Sequence, residues 1–218
     1  GPSSLRLMLT EVNKNGYFKI IDELKTSIRL CHDLVKDDGI CNENFTTILS
    51  TLKAYKSLCT VSGASKIFAV ATESLREAKN KDTLLPLIKK ELNIDIRILS
   101  CEEEILYNFL GVKRSIYIEN SLLVEVAGTD THLAWVKDNK IIKSITLPIG
   151  SVNLSYKFEL NDRILPNALT STFEYLYDLL ESIQWLKETK FESIIGIAST
   201  IRTIGKIDRV RKRYPLEI

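Results

Sequence analysis

One strand-and-turn pattern occurs twice in this chain, and that repetition limits the folds open to it. Residues 5–12 and 17–24 are β-patterned runs joined by Asn13-Lys14-Asn15-Gly16, whose Asn and Gly tolerate left-handed backbone. A third run, 27–30, continues this meander. Residues 122–126, 132–136 and 140–147 repeat the same order, with Lys137-Asp138-Asn139 as the hairpin turn.

Between the two meanders, helix and strand patterns alternate. Asn44 caps a predicted helix running to about residue 61, with Phe45, Ile48, Leu52, Tyr55 and Leu58 or Cys59 on one face. Residues 66–71 form a strand, 84–92 a helix, 95–99 a strand and 102–110 a helix. Such alternation requires parallel strands joined by crossovers in an α/β layer. Two starts of one meander predict two subdomains, 1–115 and 116–218, divided where apolar periodicity pauses at 113–121. Further on, a helix near 153–158 precedes a long amphipathic helix over 167–189. Its face of Leu169, Phe173, Leu176, Leu180, Ile183 and Leu186 is expected in the core, with Trp185 as a packed anchor.

Composition narrows the class. The 218 residues are 44% hydrophobic and 27% charged, which excludes disorder. With 30 Lys plus Arg against 28 Asp plus Glu, the net charge of +2 leaves no global footprint for nucleic acid or a membrane surface. No apolar run reaches the ~20 residues of a membrane span, so a cytoplasmic protein is expected. Cys31, Cys41, Cys59 and Cys101 form no CxxC pair and stand at no zinc-finger spacing from His32 or His132, which predicts reduced thiols. Cys101 lies beside three carboxylates whose charge blunts its nucleophilicity.

Those carboxylates, Glu102-Glu103-Glu104, follow the strand ending at Leu99 and open a helical pattern. Acidic residues offset the helix dipole there, and Ser100 with Glu103 reads as an ordinary capping box. The same position also suits a carboxylate reaching into a cleft.

Several segments together resemble the exopolyphosphatase and guanosine pentaphosphate phosphohydrolase (Ppx/GppA) family. They are Gly1-Pro2-Ser3-Ser4, Ala71-Thr72-Glu73-Ser74-Leu75-Arg76-Glu77-Ala78, Ser100-Cys101-Glu102-Glu103-Glu104 followed by Leu110-Gly111-Val112, Glu125 to His132, Leu147-Pro148-Ile149-Gly150-Ser151 and Gly196-Ile197-Ala198-Ser199-Thr200. The resemblance implies an α/β fold of two ribonuclease-H-like (actin-like) subdomains. Each would be a mixed sheet with an opening β-meander and flanking helices, with a cleft between them. It also implies removal of a terminal phosphate from polyphosphate or guanosine penta- or tetraphosphate by in-line attack of water, with Mg²⁺ as cofactor.

By the same resemblance, Glu104 is the catalytic base and Glu103 its acidic neighbour. Arg76, Ser4, Gly128, Thr131, Gly150, Ser151 and Thr200 bind substrate, and Glu125 holds the metal. A homodimer follows by analogy, with no nucleic acid or membrane partner. Family members have a strand ending in Asp before the opening glycine and further elements after residue 218, so both ends are expected to be truncated.

Three phosphate-facing segments depart from the family pattern. Where the family has D-I-G-G-G-S-T-E, this chain has Glu125-Val126-Ala127-Gly128-Thr129-Asp130-Thr131-His132. Ala127 and Thr129 are expected to strain a loop built for glycine, and Asp130 to place negative charge where phosphate would sit. His132 is expected to be a partly exposed strand residue rather than a base. Pro2 removes an N–H donor from the first loop, and Gly196-Ile197-Ala198-Ser199-Thr200 keeps Gly196 and Thr200 but lacks the close glycine pair common at that position in the family. Lys206, Arg209, Arg211, Lys212 and Arg213 read as a solvated helix face.

The expectation is therefore an exopolyphosphatase-type phosphoanhydride hydrolase, impaired by its altered loops. The alternative is an inactive member that binds a ligand or regulates a partner. A third reading is a hydrolase retuned to a smaller substrate, with Asp130 and His132 as determinants.

Overall fold

The computed structural model describes residues 4–28, 30, 39–160 and 163–214. The first three residues of the opening loop, together with Cys31, His32 and residues 215–218, lie outside them. The chain divides into two compact units, Gly1–Ser100 and Cys101–Ile218.

In the first unit, β1 (Ser4–Val12) and β2 (Phe18–Ser27) form an antiparallel hairpin with a bulge between Leu9 and Thr10. Asn13 Oδ1 accepts the N–H groups of Asn15 and Tyr17, and Gly16 adopts φ +79°, so the turn forms as its sequence requires. Among the described residues, the expected third strand at 27–30 does not continue the sheet. Ile28 and Leu30 instead enter a core with Ile40, Ile48, Leu75, Leu84, Ile88, Leu92 and Ile94.

Helix α1 (Asn42–Val61) starts two residues ahead of the expected Asn44 cap and buries Ile48, Tyr55 and Cys59. Strand β3 (Ala69–Ala71) is followed by α2 (Glu73–Glu77), α3 (Lys81–Leu92) and β4 (Ile96–Ile98), and β3 pairs in parallel with β4. The hairpin and the β3–β4 pair remain separate sheets among the described residues. Between them lies a cavity of about 380 Å³, lined by Leu5 and Leu7 of β1, Ala69 and Ala71 of β3, and Leu84 and Ile88 of α3.

The second unit opens with α4 (Cys101–Lys113), followed by β5 (Asn120–Val126), β6 (Thr131–Lys137) and β7 (Lys140–Leu147). After α5 (Ser151–Lys157), α6 (Pro166–Glu181) and α7 (Gln184–Glu188), β8 (Ser193–Ile197) enters the sheet, and α8 (Ala198–Lys212) follows it. The strand order is β7-β6-β5-β8, antiparallel except for the β5–β8 pair.

Alternation along the strands splits this sheet into two faces. Leu123, Ala134 and Val136 pack under Ile105 and Phe109 of α4, while Leu122 and Leu133 pack with Ile149, Ile183 and Trp185 on the other side. Because α4 buries its apolar face here, the division falls between Ser100 and Cys101 rather than at 113–121.

The long helix expected over 167–189 breaks at Ser182 and Ile183. Only the Leu176, Ile183 and Leu186 part of its expected face packs, and Leu169, Phe173 and Leu180 are exposed. Two apolar stripes run along α6, and the packed one passes through Thr172, Leu176 and Leu179. Trp185 is packed as expected, edge-on to Phe191. Among the described residues no helix is long and apolar enough to cross a membrane.

Candidate active site

Register builds the site. Glu125 on β5 lies directly opposite His132 on β6, and His132 lies opposite Thr146 on β7. The same alternation that sends Leu123 and Ala134 toward α4 sends Glu125 and His132 there too. On α4, Glu104 and Asn108 are four residues apart and so share a face, one step around from the buried Ile105 and Phe109. The Asn108 amide donates to Glu125 Oε2.

His132 is therefore buried, at 3% exposed, which corrects the expectation of a partly exposed strand residue. Its Nδ1 is 2.9 Å from Thr146 Oγ1. Its Nε2 lies 3.8 Å from Glu104 Oε2 and 3.6 Å from Asp130 Oδ2, too far for a hydrogen bond but well within ion-pair range. Asp130 is 5% exposed and points inward at His132.

Burial pulls the His132 pKa down, but Glu104, Asp130 and Glu125 together overcome it and leave the imidazole above its ordinary value. Burial pushes Glu125 up, the His132 charge and the Asn108 amide oppose that, and Glu104 and Asp130 add to it, so the net shift is upward. Three carboxylates close together in a protein interior cannot all ionise freely, and an imidazolium among them lowers that cost.

The loop joining β5 to β6 is closed by the Ala127 N–H donating to the Asp130 carbonyl. Positive φ occurs at none of Ala127, Gly128 and Thr129, so the glycine losses do not strain this loop, contrary to expectation. The required glycine is Gly150, where an added Cβ would stand 2.4 Å from the Gly128 backbone.

That close approach lets the first turn of α5 dock on the loop. Ser151 N–H donates to the Ala127 carbonyl, Val152 N–H and Asn153 N–H to the Gly128 carbonyl, and Ser151 Oγ to the Ala127 carbonyl. Asn153 also binds the Thr129 carbonyl and accepts the Gly150 N–H. A helix N-terminus ordinarily offers these donors to an anion. Here the loop takes them, so Gly150 and Ser151 serve as structural clamps. Among the described residues, the N–H groups of Gly128 and Thr129 donate to no protein acceptor. Thr131 Oγ1 is committed to the Ile149 carbonyl at 2.7 Å.

The other expected residues fall as follows. Glu103 is half-buried on α4, beside Glu104. Thr200 sits in the first turn of α8, whose first residue, Ala198, holds a left-handed φ of +68°. Ser4 lies in β1, opposite Ser27. Arg76 Nη1 donates to the Leu99 carbonyl at 2.7 Å, and its Nε is 3.5 Å from Glu77, so this guanidinium ties down the end of β4. The basic residues of α8 line an exposed face as expected, with Lys212 paired to Asp208.

Asn108, Thr146 and Asn153 were not anticipated. The i+4 spacing from Glu104 could have identified Asn108, whereas Thr146 needed the strand register.

Mg²⁺ requires an octahedral oxygen set and retains several waters. Glu125, the expected ligand, is bound by Asn108 and stands directly across the strands from the buried imidazole of His132. The void bordered by Asn108, Glu125 and His132 is about 10 Å³, no more than one water's worth. Among the described residues no group of three or more His, Cys, Asp or Glu side chains converges on a metal position. These residues do not fit the metal that the resemblance implies.

A mixed four-stranded sheet with a meander opening, flanked by helices and carrying a carboxylate cluster at one strand end, defines an α/β protein of the actin-like fold class. The chain belongs to the Ppx/GppA phosphatase family, which it matches over residues 10–217. It is 29% identical, over all of its length, to a bifunctional 3-dehydroquinate synthase/phosphatase of Fusobacterium nucleatum, covering 34% of that protein. It is 22% identical to exopolyphosphatase 1 of Mycobacterium tuberculosis over 71% of this chain and 46% of that one. The chain thus spans about a third to a half of these curated relatives. Among solved structures, the Aquifex aeolicus Ppx/GppA family member superposes with a TM-score of 0.78 at 28% identity, covering 99% of this chain and 69% of that one. An exopolyphosphatase from Cytophaga hutchinsonii reaches 0.89 at 20% identity, over 100% of this chain and 70% of that one, which speaks for the fold alone.

Proposed function

We propose that this chain carries the water-activating part of a phosphoanhydride hydrolase that releases terminal phosphate from polyphosphate or guanosine pentaphosphate. The observation that carries the reading is Glu104: its carboxylate is 12% exposed in the first turn of α4 and stands 3.8 Å from a buried imidazole. A base in that position keeps access to water beside a buried imidazole. Relatives named as exopolyphosphatase and as guanosine-5'-triphosphate,3'-diphosphate pyrophosphatase supply the substrate class.

In this reading the uncommitted amides of Gly128 and Thr129 receive oxygens of the terminal phosphate. Glu104 takes a proton from the attacking water as the new P–O bond forms, and the bridging oxygen leaves with the shortened chain. Thr146 fixes the ring of His132, which keeps Glu104 oriented. Ser4 and Arg76 belong to the first unit and enter the reading only through the family resemblance. No step runs through Mg²⁺.

Two amides stabilise developing charge less than a full nest, so turnover should be slow. The commitment of the α5 donors to residues 127 and 128 also favours a second reading, binding of a phosphate ligand without hydrolysis.

Phosphate release from long-chain polyphosphate and guanosine pentaphosphate by the full-length protein, wild type beside Glu104→Gln, tests the proposal. Loss of a general base costs about 10²-fold or more. Equal rates in both proteins would sink it, and calorimetric binding without release in either would establish the binding role.

A further inference from the structure

The cavity of the first unit lies between two strand edges. A strand that turns one face to a cavity contributes every second residue. Here Leu5, Arg6, Leu7 and Met8 of β1 border it in succession, and so does every residue from Ile67 to Thr72, the run through β3. β1 is paired on its other side with β2 and β3 with β4, and among the described residues no backbone hydrogen bond joins 5–8 to 67–72. Ile48 and Leu52 of α1 with Leu84 and Ile88 of α3 make an apolar floor. Ser74 Oγ, also at the border, is buried and has no hydrogen-bond partner among the described residues.

An occupant of this space must meet two demands. It has to cover the apolar floor, and it has to give partners to the N–H and C=O groups along both walls, which are costly to leave unpaired once water is excluded. An apolar small molecule meets only the first. An anion finds the bordering cations engaged, because Lys56 Nζ donates to the Leu92 carbonyl at 2.7 Å and Arg6 pairs with Glu23. An extended polypeptide meets both demands. We infer that this slot is a strand position, filled in the complete protein by a segment of its own chain from outside residues 1–218, so that the first unit carries one sheet with the added strand between β1 and β3. The segment is four to six residues long, matching the runs 5–8 and 67–72 that border it, and every second residue is apolar to cover the floor. A partner molecule adds a strand at an outer edge, such as the unpaired side of β2, whereas a position with strands on both sides and helices beneath is filled as the unit folds. The two solved structures that match this chain over 99% and 100% of its length are longer, and it covers 69% and 70% of them. The inference holds whatever reaction the second unit performs.

NMR of the full-length protein tests this through amide hydrogen exchange and backbone nuclear Overhauser effects, with native mass spectrometry to establish a single chain carrying no bound molecule. Alternate N–H groups of β1 and β3 point away from β2 and β4. Within Leu5 to Met8 and Phe68 to Ala71, those outward amides should exchange about 10³-fold or more slower than in an unstructured chain, as in a central strand. Overhauser effects from Leu7 and from Val70 should lead to one and the same extended segment outside residues 1–218. Exchange of the outward amides at unprotected rates overturns the proposal. So do Overhauser effects that join β1 directly to β3 or lead to a segment within residues 1–218, and so does protection found only in a dimer or with a ligand bound.

Discussion

The two units open on the same sequence pattern and end differently. In the second, β8 returns to pair in parallel with β5, so the meander becomes part of one four-stranded sheet with a core on each face. In the first, the hairpin and the β3–β4 pair stand apart across a cavity of about 380 Å³. The contrast shows what the site depends on. Glu125, His132 and Thr146 line up because three strands share a continuous register, and α4 can bring Glu104 to them only over a fully packed face.

If the second unit is held together around its charge cluster, His132→Ala should give the largest loss. It removes the buried imidazole beside Glu104 and Asp130, and breaking a buried ion pair costs about 3–5 kcal/mol. Denaturant unfolding at neutral pH measures it. A loss near the ~1 kcal/mol of an average substitution would mean that the carboxylates relax without the imidazole.

The same cluster sets a pH dependence whose sign can be worked out. With its pKa raised above the ordinary 6.5, His132 stabilises the fold fully below that value, and the contribution disappears as pH rises through the folded-state pKa. Glu125, raised above 4.5, favours the folded state while protonated and loses that contribution as pH climbs past 4.5. Both act in one direction, so unfolding free energy should fall as pH is raised from weak acid through neutrality. His132→Gln should flatten the upper part of that slope; an unchanged slope would remove His132 as its origin.

Paired substitutions test the packing contrast. Ala134→Val adds two carbons to a core position 2% exposed and should cost about 1–3 kcal/mol. Ala71→Val adds the same carbons to a strand bordering the first unit's cavity and should be neutral or stabilising by about 0.5–1 kcal/mol. Equal losses at the two positions would contradict the difference in packing.

The smallest effect is expected where β8 turns into α8. Ala198 at φ +68° pays a steric penalty that glycine avoids, so Ala198→Gly should stabilise by roughly 0.5–1 kcal/mol and raise Tm by a few degrees. A fall in Tm would show that the helix start outweighs the relief of strain.

Much of the fold was legible because hairpin turns and strand alternation are local signals. The turns at 13–16 and 137–139 formed where Asn and Gly marked them, and β5 to β7 lie within a residue or two of their expected runs. Legibility failed wherever one helix carried two apolar stripes, as in α6, and at Ile28 and Leu30, which anchor a core that sequence periodicity does not reveal. The site was half legible. Glu104 was singled out by motif, but the burial of His132 and Asp130 depends on which sheet face α4 covers, a tertiary fact. The strain expected at Ala127 and Thr129 was inferred from glycines in other chains, while the backbone here takes an ordinary path and the close approach falls at Gly150.

The docking of α5 on residues 127–129 has a further consequence for ligand exchange. Backbone and side-chain hydrogen bonds from Ser151, Val152 and Asn153 fix this loop before any ligand arrives. Its ordering entropy is lost on folding rather than on binding, so association here requires no loop closure. A ligand should enter and leave at rates governed by removal of water from the phosphate, and the loop should look the same with the ligand bound as without it.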